Sequence, residues 1–77
     1  METNELKNNI RRLRFEKGEM TQQQLADIAG VTRQTIIAME QGKYAPSLPL
    51  AFRISHAFGV GIDQVFEYTE KDTPKAP

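Results

Sequence analysis

Apolar residues recur along this chain at helical spacing, in short runs that end at glycines. Leu6, Ile10 and Leu13 follow an i, i+4, i+7 pattern with Phe15 beside them, and Gly18 stops the run. The spacing predicts a first helix over 5–17 with a basic outer face. A second helix is predicted over 21–29. Thr21 and Gln24 form a capping box there, Met20 and Leu25 a hydrophobic staple, and Leu25, Ile28 and Ala29 turn inward before Gly30. A third is predicted over 32–41, from the N-cap Thr32 to Gly42 in the left-handed region, with Val31 and Ile36 as a second staple. Ile36, Met39 and Glu40 point one way on it; Arg33, Gln34, Ile37, Ala38 and Gln41 point the other. A fourth is predicted over 47–58: Ser47 caps, Pro49 is tolerated in the first turn, and Leu50, Ala51, Ile54, Ala57 and Phe58 form the stripe that Gly59 closes. A short fifth helix begins at Ile62 and turns Ile62, Val65 and Phe66 inward. The segment from Phe66 to Thr69 is rich in strand-favouring side chains, and helix or strand both remain open for it. No segment alternates convincingly as a strand. The expected fold class is therefore all-α, with five helices in one domain over residues 5–68. Residues 1–4 are expected to be a frayed start and Thr69 to Pro77 a flexible tail.

Composition narrows the chemistry. The chain has 77 residues, 39% hydrophobic and 26% charged, which suits one small soluble domain. No run approaches the roughly 20 apolar residues that span a bilayer, and Met1 to Glu5 carry no apolar leader, so no membrane association is expected. Cysteine is absent, which rules out disulfides and thiolate metal sites and suits a reducing, cytoplasmic setting. The single histidine, His56, falls on the outer side of the fourth helix and reads as a surface residue. With no nucleophile–base pair and too little chain to enclose a pocket, the protein is not expected to be an enzyme. No cofactor, metal or small-molecule ligand is implied.

Ten basic and ten acidic residues cancel. They are unevenly placed. From Leu6 to Arg53 there are eight basic residues against four acidic ones, and the remaining acids lie towards the two ends. Screening over roughly 10 Å lets a basic face act independently of distant acids.

The second and third segments carry the functional signal. Only Gly30 and Val31 separate them, a link too short to fold two helices antiparallel, so they must cross steeply as a helix-turn-helix, here over 21–41. Near its N-terminus the second of the pair presents Arg33, Gln34, Ile37 and Ala38 on adjacent rows. Arginine pairs with guanine, glutamine with adenine, and an apolar group with the thymine methyl, and this end of the helix is the one that enters the major groove. Phosphate contacts are expected to flank it. The N-termini of the second and third helices, the latter at Thr32, and Gln22 in the first turn of the second helix offer donors to the backbone, and Gln22 can also reach the Arg33 side chain. Gln41, Lys43 and Tyr44 follow the helix and can meet the next stretch of backbone. Tyr44 has an alternative role packing under the loop to Pro46. Arg11 and Arg12 read as solvated.

The stretch from Thr21 to Leu48, with Thr-Gln-x-x-Leu-Ala, Gly-Val-Thr-Arg-Gln-Thr-Ile and Glu-x-Gly-Lys-Tyr-x-Pro-Ser-Leu, resembles the Cro/Xre-type helix-turn-helix family, which includes small phage repressors. The resemblance covers about Leu6 to Phe66. It implies a five-helix lambda-repressor-like DNA-binding domain and transcriptional control, commonly as a homodimer. By position it places Gln22, Arg33, Gln34, Ile37 and Ala38 at base-facing sites and Gln41 and Lys43 at phosphate-facing sites. It places Arg14 and Glu40 where the family often ties its first helix to its third by an ion pair. The chain departs from the pattern in a longer Gly18–Thr21 connection and in Gly61, which stands where a serine-like cap is usual.

Phe52, Val60, Ile62, Phe66 and Tyr68 are more apolar surface than so small a bundle hides, and a two-fold dimer through the fourth and fifth helices would cover them. The expected function is a cytoplasmic, sequence-specific regulator of transcription. It would be a repressor that binds double-stranded DNA as a homodimer on a palindromic operator. The alternatives are the antitoxin of a toxin–antitoxin pair and a protein-interaction module on the same fold.

Overall fold

The computed structural model describes residues 5–69. In order along the chain they form β1 (Glu5–Asn8), α1 (Ile10–Glu16), α2 (Gln22–Ala29), α3 (Arg33–Glu40), α4 (Leu48–Phe58), α5 (Ile62–Val65) and β2 (Phe66–Thr69). The fold is an all-α helix-turn-helix domain with a small two-stranded sheet, five helices lying among the described residues.

The caps decide where the central helices begin. Thr21 Oγ accepts from the Gln24 N–H at 3.0 Å and Gln24 Oε1 accepts from the Thr21 N–H at 2.8 Å, so the box is reciprocal. Thr32 Oγ1 and Ser47 Oγ accept from the N–H groups of Thr35 and Leu50. Gly61 precedes α5 without any side-chain cap, and that helix lasts only four residues. Two glycines close the functional pair. Gly30 has φ +75°, which lets Val31 N–H fold back onto the Ala26 carbonyl and aims the chain into α3. Gly42 has φ +76° and does the same after α3, with Lys43 N–H on the Ala38 carbonyl. The longer connection before α2 carries Glu19 at φ +57°, a left-handed conformation that is uncommon outside glycine.

Packing confirms most of the inward faces. Ile10, Leu13, Leu25, Ile36, Met39, Leu50, Ile54, Phe58 and Val65 form one core, with Ala26 and Ala29 where α2 comes close to its neighbours. Met20 and Val31, the outer halves of the two staples, pack against it. The end of α2 is also tied to α4, whose Arg53 Nε donates to the Ala29 carbonyl at 2.9 Å.

Three expectations are corrected. The helix predicted from Glu5 begins at Ile10, because 5–8 pair antiparallel with 66–69 in the register Leu6↔Tyr68 and Asn8↔Phe66. Asn8 marks the change: its Oδ1 accepts from the Ile10 N–H and its Nδ2 donates to the Met39 carbonyl at 2.7 Å, so one side chain starts α1 and fastens β1 to the end of α3. The open choice at Phe66–Thr69 resolves as strand for the same reason, since the first strand supplies its partner. Ile28, predicted inward, is 54% exposed, while Ala26 is fully buried. The face of α2 that packs on α3 and α4 is set by Leu25, Ala26 and Ala29, which turns Ile28 outward. Thr69 belongs to β2 rather than to a tail. The rest of the expected tail, 70–77, and the expected frayed start, 1–4, lie outside the described residues.

This packing predicts opposite outcomes for two apolar residues of one helix. Leu25→Ala should cost about 3 kcal/mol and Ile28→Ala less than about 0.5 kcal/mol in urea denaturation. Equal costs would place Ile28 in the core.

Candidate nucleic-acid interface

An open cleft of about 810 Å³ lies where α1, the start of α2 and α3 meet, lined by Arg11, Arg14, Thr21, Gln22, Gln23, Arg33 and Glu40. At its floor Arg14 and Glu40 form a bidentate pair. Nε donates to Oε2 at 2.7 Å and Nη2 to Oε1 at 3.2 Å. The third guanidinium nitrogen, Nη1, donates to the Met20 carbonyl at 2.8 Å, and Met20 N–H returns a bond to the Arg14 carbonyl. Both side chains are largely buried, with 15% and 10% of their surface exposed. A carboxylate in the last turn of α3 faces the negative end of the helix dipole as well as desolvation, and Arg14 offsets both.

The pair continues towards the surface. Gln22 Nε2 donates to Glu40 Oε1 at 3.2 Å, and Gln22 Oε1 accepts from Arg33 Nε at 3.4 Å. Arg33 thus stands in the first turn of α3 with one edge of its guanidinium held and the other free.

The remaining candidates distribute as follows. Thr32, Arg33 and Gln34 are exposed at the α3 N-terminus, and the Thr32 hydroxyl is occupied by its own cap. Ile37 and Ala38 are half-buried. Ile37, expected fully outward, spends part of its surface on its neighbours. Gln41 and Lys43 are exposed just beyond the helix, held there by the Gly42 turn. Tyr44 is 46% exposed and also lines a small cavity with Leu6, Met39 and Phe66, so its ring packs while much of its surface stays open. Arg11, read from sequence as solvated, lines the cleft beside Gln22 and Arg33. Its place three residues before Arg14, on the same helical face, is the signal that points there.

A second feature is apolar. Leu6, Pro46, Leu48, Ala51, Ile62, Phe66 and Tyr68, with Asp63 as the one charged member, line a shallow depression between β1, β2 and the starts of α4 and α5. It brings together Ile62, Phe66 and Tyr68 of the expected interface and adds Leu6 and Leu48. Phe52, 45% exposed, stands one turn along α4 from Leu48; Val60 and Phe66 are partly buried and pack against the core, and of these two only Phe66 also lines the depression. Leu6 escapes a reading of the sequence because its exposure follows from the sheet.

Among the described residues no group of acidic or histidine side chains is placed to hold a metal ion, and no helix is long and apolar enough to cross a membrane. What the fold and cleft define is a helix-turn-helix domain whose second helix, α3, bears an exposed arginine and glutamine in its first turn. A family model described as Helix-turn-helix matches residues 10–65, from the first residue of α1 to the last of α5. An uncharacterized HTH-type transcriptional regulator of Methanocaldococcus jannaschii is 55% identical over 53 residues, 69% of this chain and 80% of the relative. Another, of Methanothermobacter thermautotrophicus, is 60% identical over 50 residues, 65% of this chain and 71% of the relative. The uncharacterized HTH-type transcriptional regulator YgzD of Bacillus subtilis is 42% identical over 67 residues, 87% of this chain and the whole of that protein. The chain belongs to the helix-turn-helix family of Cro/Xre-type regulators.

The two ion pairs of α1 should separate sharply on mutation. Arg14→Ala strands the Glu40 carboxylate and should cost about 3 kcal/mol. Arg12→Ala breaks an exposed i, i+4 pair with Glu16 and should cost at most about 0.5 kcal/mol. Urea midpoints at fixed m-value distinguish them.

Proposed function

We propose that this protein is a sequence-specific regulator of transcription that binds double-stranded DNA as a homodimer on a palindromic operator and represses by occupying it. The observation that carries this reading is the exposed Arg33–Gln34 pair in the first turn of α3, directly above a cleft whose wall includes Gln22 and Arg11. The α3 N-terminus is the part of a helix-turn-helix that enters the major groove. Arg33 offers two parallel donors to guanine and Gln34 a donor and acceptor to adenine, with Ile37 and Ala38 one turn on for a thymine methyl. Gln41 and Lys43, with Tyr44 beside them, serve the backbone on one flank, and Thr32, Gln22 and Arg11 on the other.

An eight-residue helix reaches only a few base pairs, too few to specify a site. A two-fold dimer doubles the reading and sets its spacing at one helical turn, about 34 Å. The depression lined by Leu6, Leu48, Ile62, Phe66 and Tyr68, continued by Phe52, supplies a self-complementary apolar face for it.

Selection of bound duplexes from a randomised pool, at stated salt, tests the reading. An enriched palindrome is the expected result. On that site Arg33→Ala should cost about 1–3 kcal/mol and relax preference at one base pair, while Lys43→Ala should weaken all sequences alike and shallow the salt slope by about one. Weak, salt-sensitive binding without enrichment would defeat the proposal.

The dimer has its own test. Leu48→Asp places a charge on the exposed first turn of α4, where an acid suits the helix dipole. Sedimentation equilibrium should find this variant monomeric where the parent is dimeric, with its operator affinity reduced. A parent that sediments as a monomer even when bound to the selected operator would contradict the two-fold arrangement.

A further inference from the structure

The cleft holds an unbroken hydrogen-bonded chain, Arg14–Glu40–Gln22–Arg33, that runs from the largely buried ion pair to an exposed side chain. We infer that Glu40 is a specificity-determining positioning residue: acting through Gln22, it sets the direction of the Arg33 guanidinium and so the base pair that Arg33 selects. The inference rests on the proposed DNA-binding role and adds to it a residue that touches no DNA.

The reasoning is one of donors and acceptors. A guanidinium only donates and an ionised carboxylate only accepts. Gln22 lies between one of each. Its amide therefore has a single satisfying orientation, with nitrogen towards Glu40 and oxygen towards Arg33. The reverse would set donor against donor at Arg33 and acceptor against acceptor at Glu40. Once Arg33 Nε is engaged by Gln22, its two terminal nitrogens face outward together, the edge that pairs with O6 and N7 of guanine. Glu40 is itself immobilised by the two bonds from Arg14. The orientation of Arg33 is thus inherited from the interior of the protein.

Glu40→Gln makes the inference testable because it keeps size and shape. The shorter contact, 2.7 Å from Arg14 Nε, holds the oxygen at that position, so the new amide nitrogen replaces Oε1, gives up the 3.2 Å bond from Arg14 Nη2 and faces Gln22. Gln22 must then turn its own oxygen inward, which presents a donor to Arg33 and releases it. Adding Gln22→Glu restores the alternation, since a carboxylate at position 22 accepts from both neighbours.

The experiment compares the parent, Glu40→Gln, Gln22→Met, and the Glu40→Gln/Gln22→Glu pair in two readouts, at a temperature where all are folded. One is competition between the selected duplex and its single-base variants, with and without Arg33→Ala. The other is the Arg33 Nε–H cross-peak in the free protein. Glu40→Gln and Gln22→Met are expected to lower discrimination at the base pair read by Arg33 by roughly fivefold to tenfold. Discrimination at the Gln34 position should hold, and neither variant should have an effect once Arg33 is alanine. The Arg33 cross-peak should move in both, and return in the paired variant. A Glu40→Gln that weakens every duplex by one factor with base preference intact, or an unmoved Arg33 signal, would show that Glu40 only stabilises the fold. Gln22→Met leaves the ion pair whole, so full base preference in that variant overturns the relay even if Glu40→Gln does not fold. A parent that selects no sequence would remove the DNA-binding reading, and this inference with it.

Discussion

A carboxylate in the last turn of α3, turned towards the inside of the domain, is tolerable only with a partner, and Arg14 is that partner. The bidentate geometry fixes distance and direction together, so α1 and α3 are set relative to each other by more than apolar contact. The same guanidinium holds the Met20 carbonyl and thereby the entry into α2. Three helices that share one apolar core are also registered around this charge pair. The cleft of the candidate interface is the surface expression of that junction.

The helix-turn-helix pair is then positioned by local chemistry. Thr21 and Thr32 start the helices and Gly30 turns between them. Arg53 on α4 satisfies the end of α2. Small residues, Ala26 and Ala29, let α2 sit close to its neighbours. Arg33 and Gln34 stand exposed in the first turn of α3, while Ile36 and Met39 on its opposite face are buried in the core.

Much of this was legible along the chain because it is encoded within four residues at a time. The capping box and the Gly42 turn appear as spaced residue types and are present in the structure, and Met20 and Val31, the outer residues of the expected staples, pack against the core. The failures share a different origin. Leu6 satisfies helical spacing with Ile10 and Leu13, but its partner Tyr68 is more than sixty positions away, and no local signal reports a pairing of that separation. Ile28 has the composition of a core residue. Its exposure depends on which side of α2 meets α3 and α4, and that is decided by how closely Ala26 and Ala29 allow them to approach. Arg11 is exposed, as its place on the polar face of the first helix implies, and only the tertiary arrangement brings it beside Gln22 and Arg33 at the cleft.

The sequence by itself determined the central helices, their caps, the short turn between α2 and α3, and the residue types presented at the start of α3. Those are local matters, in which hydrogen-bonding groups and left-handed glycines act on their immediate neighbours. Only the tertiary structure decided that the two ends of the domain pair as strands, that Ile28 and Leu6 face outward, and that Gln22 joins the expected Arg14–Glu40 pair to Arg33. These depend on contacts between segments distant along the chain, whose geometry is set by packing the whole core at once rather than by any single stretch of it.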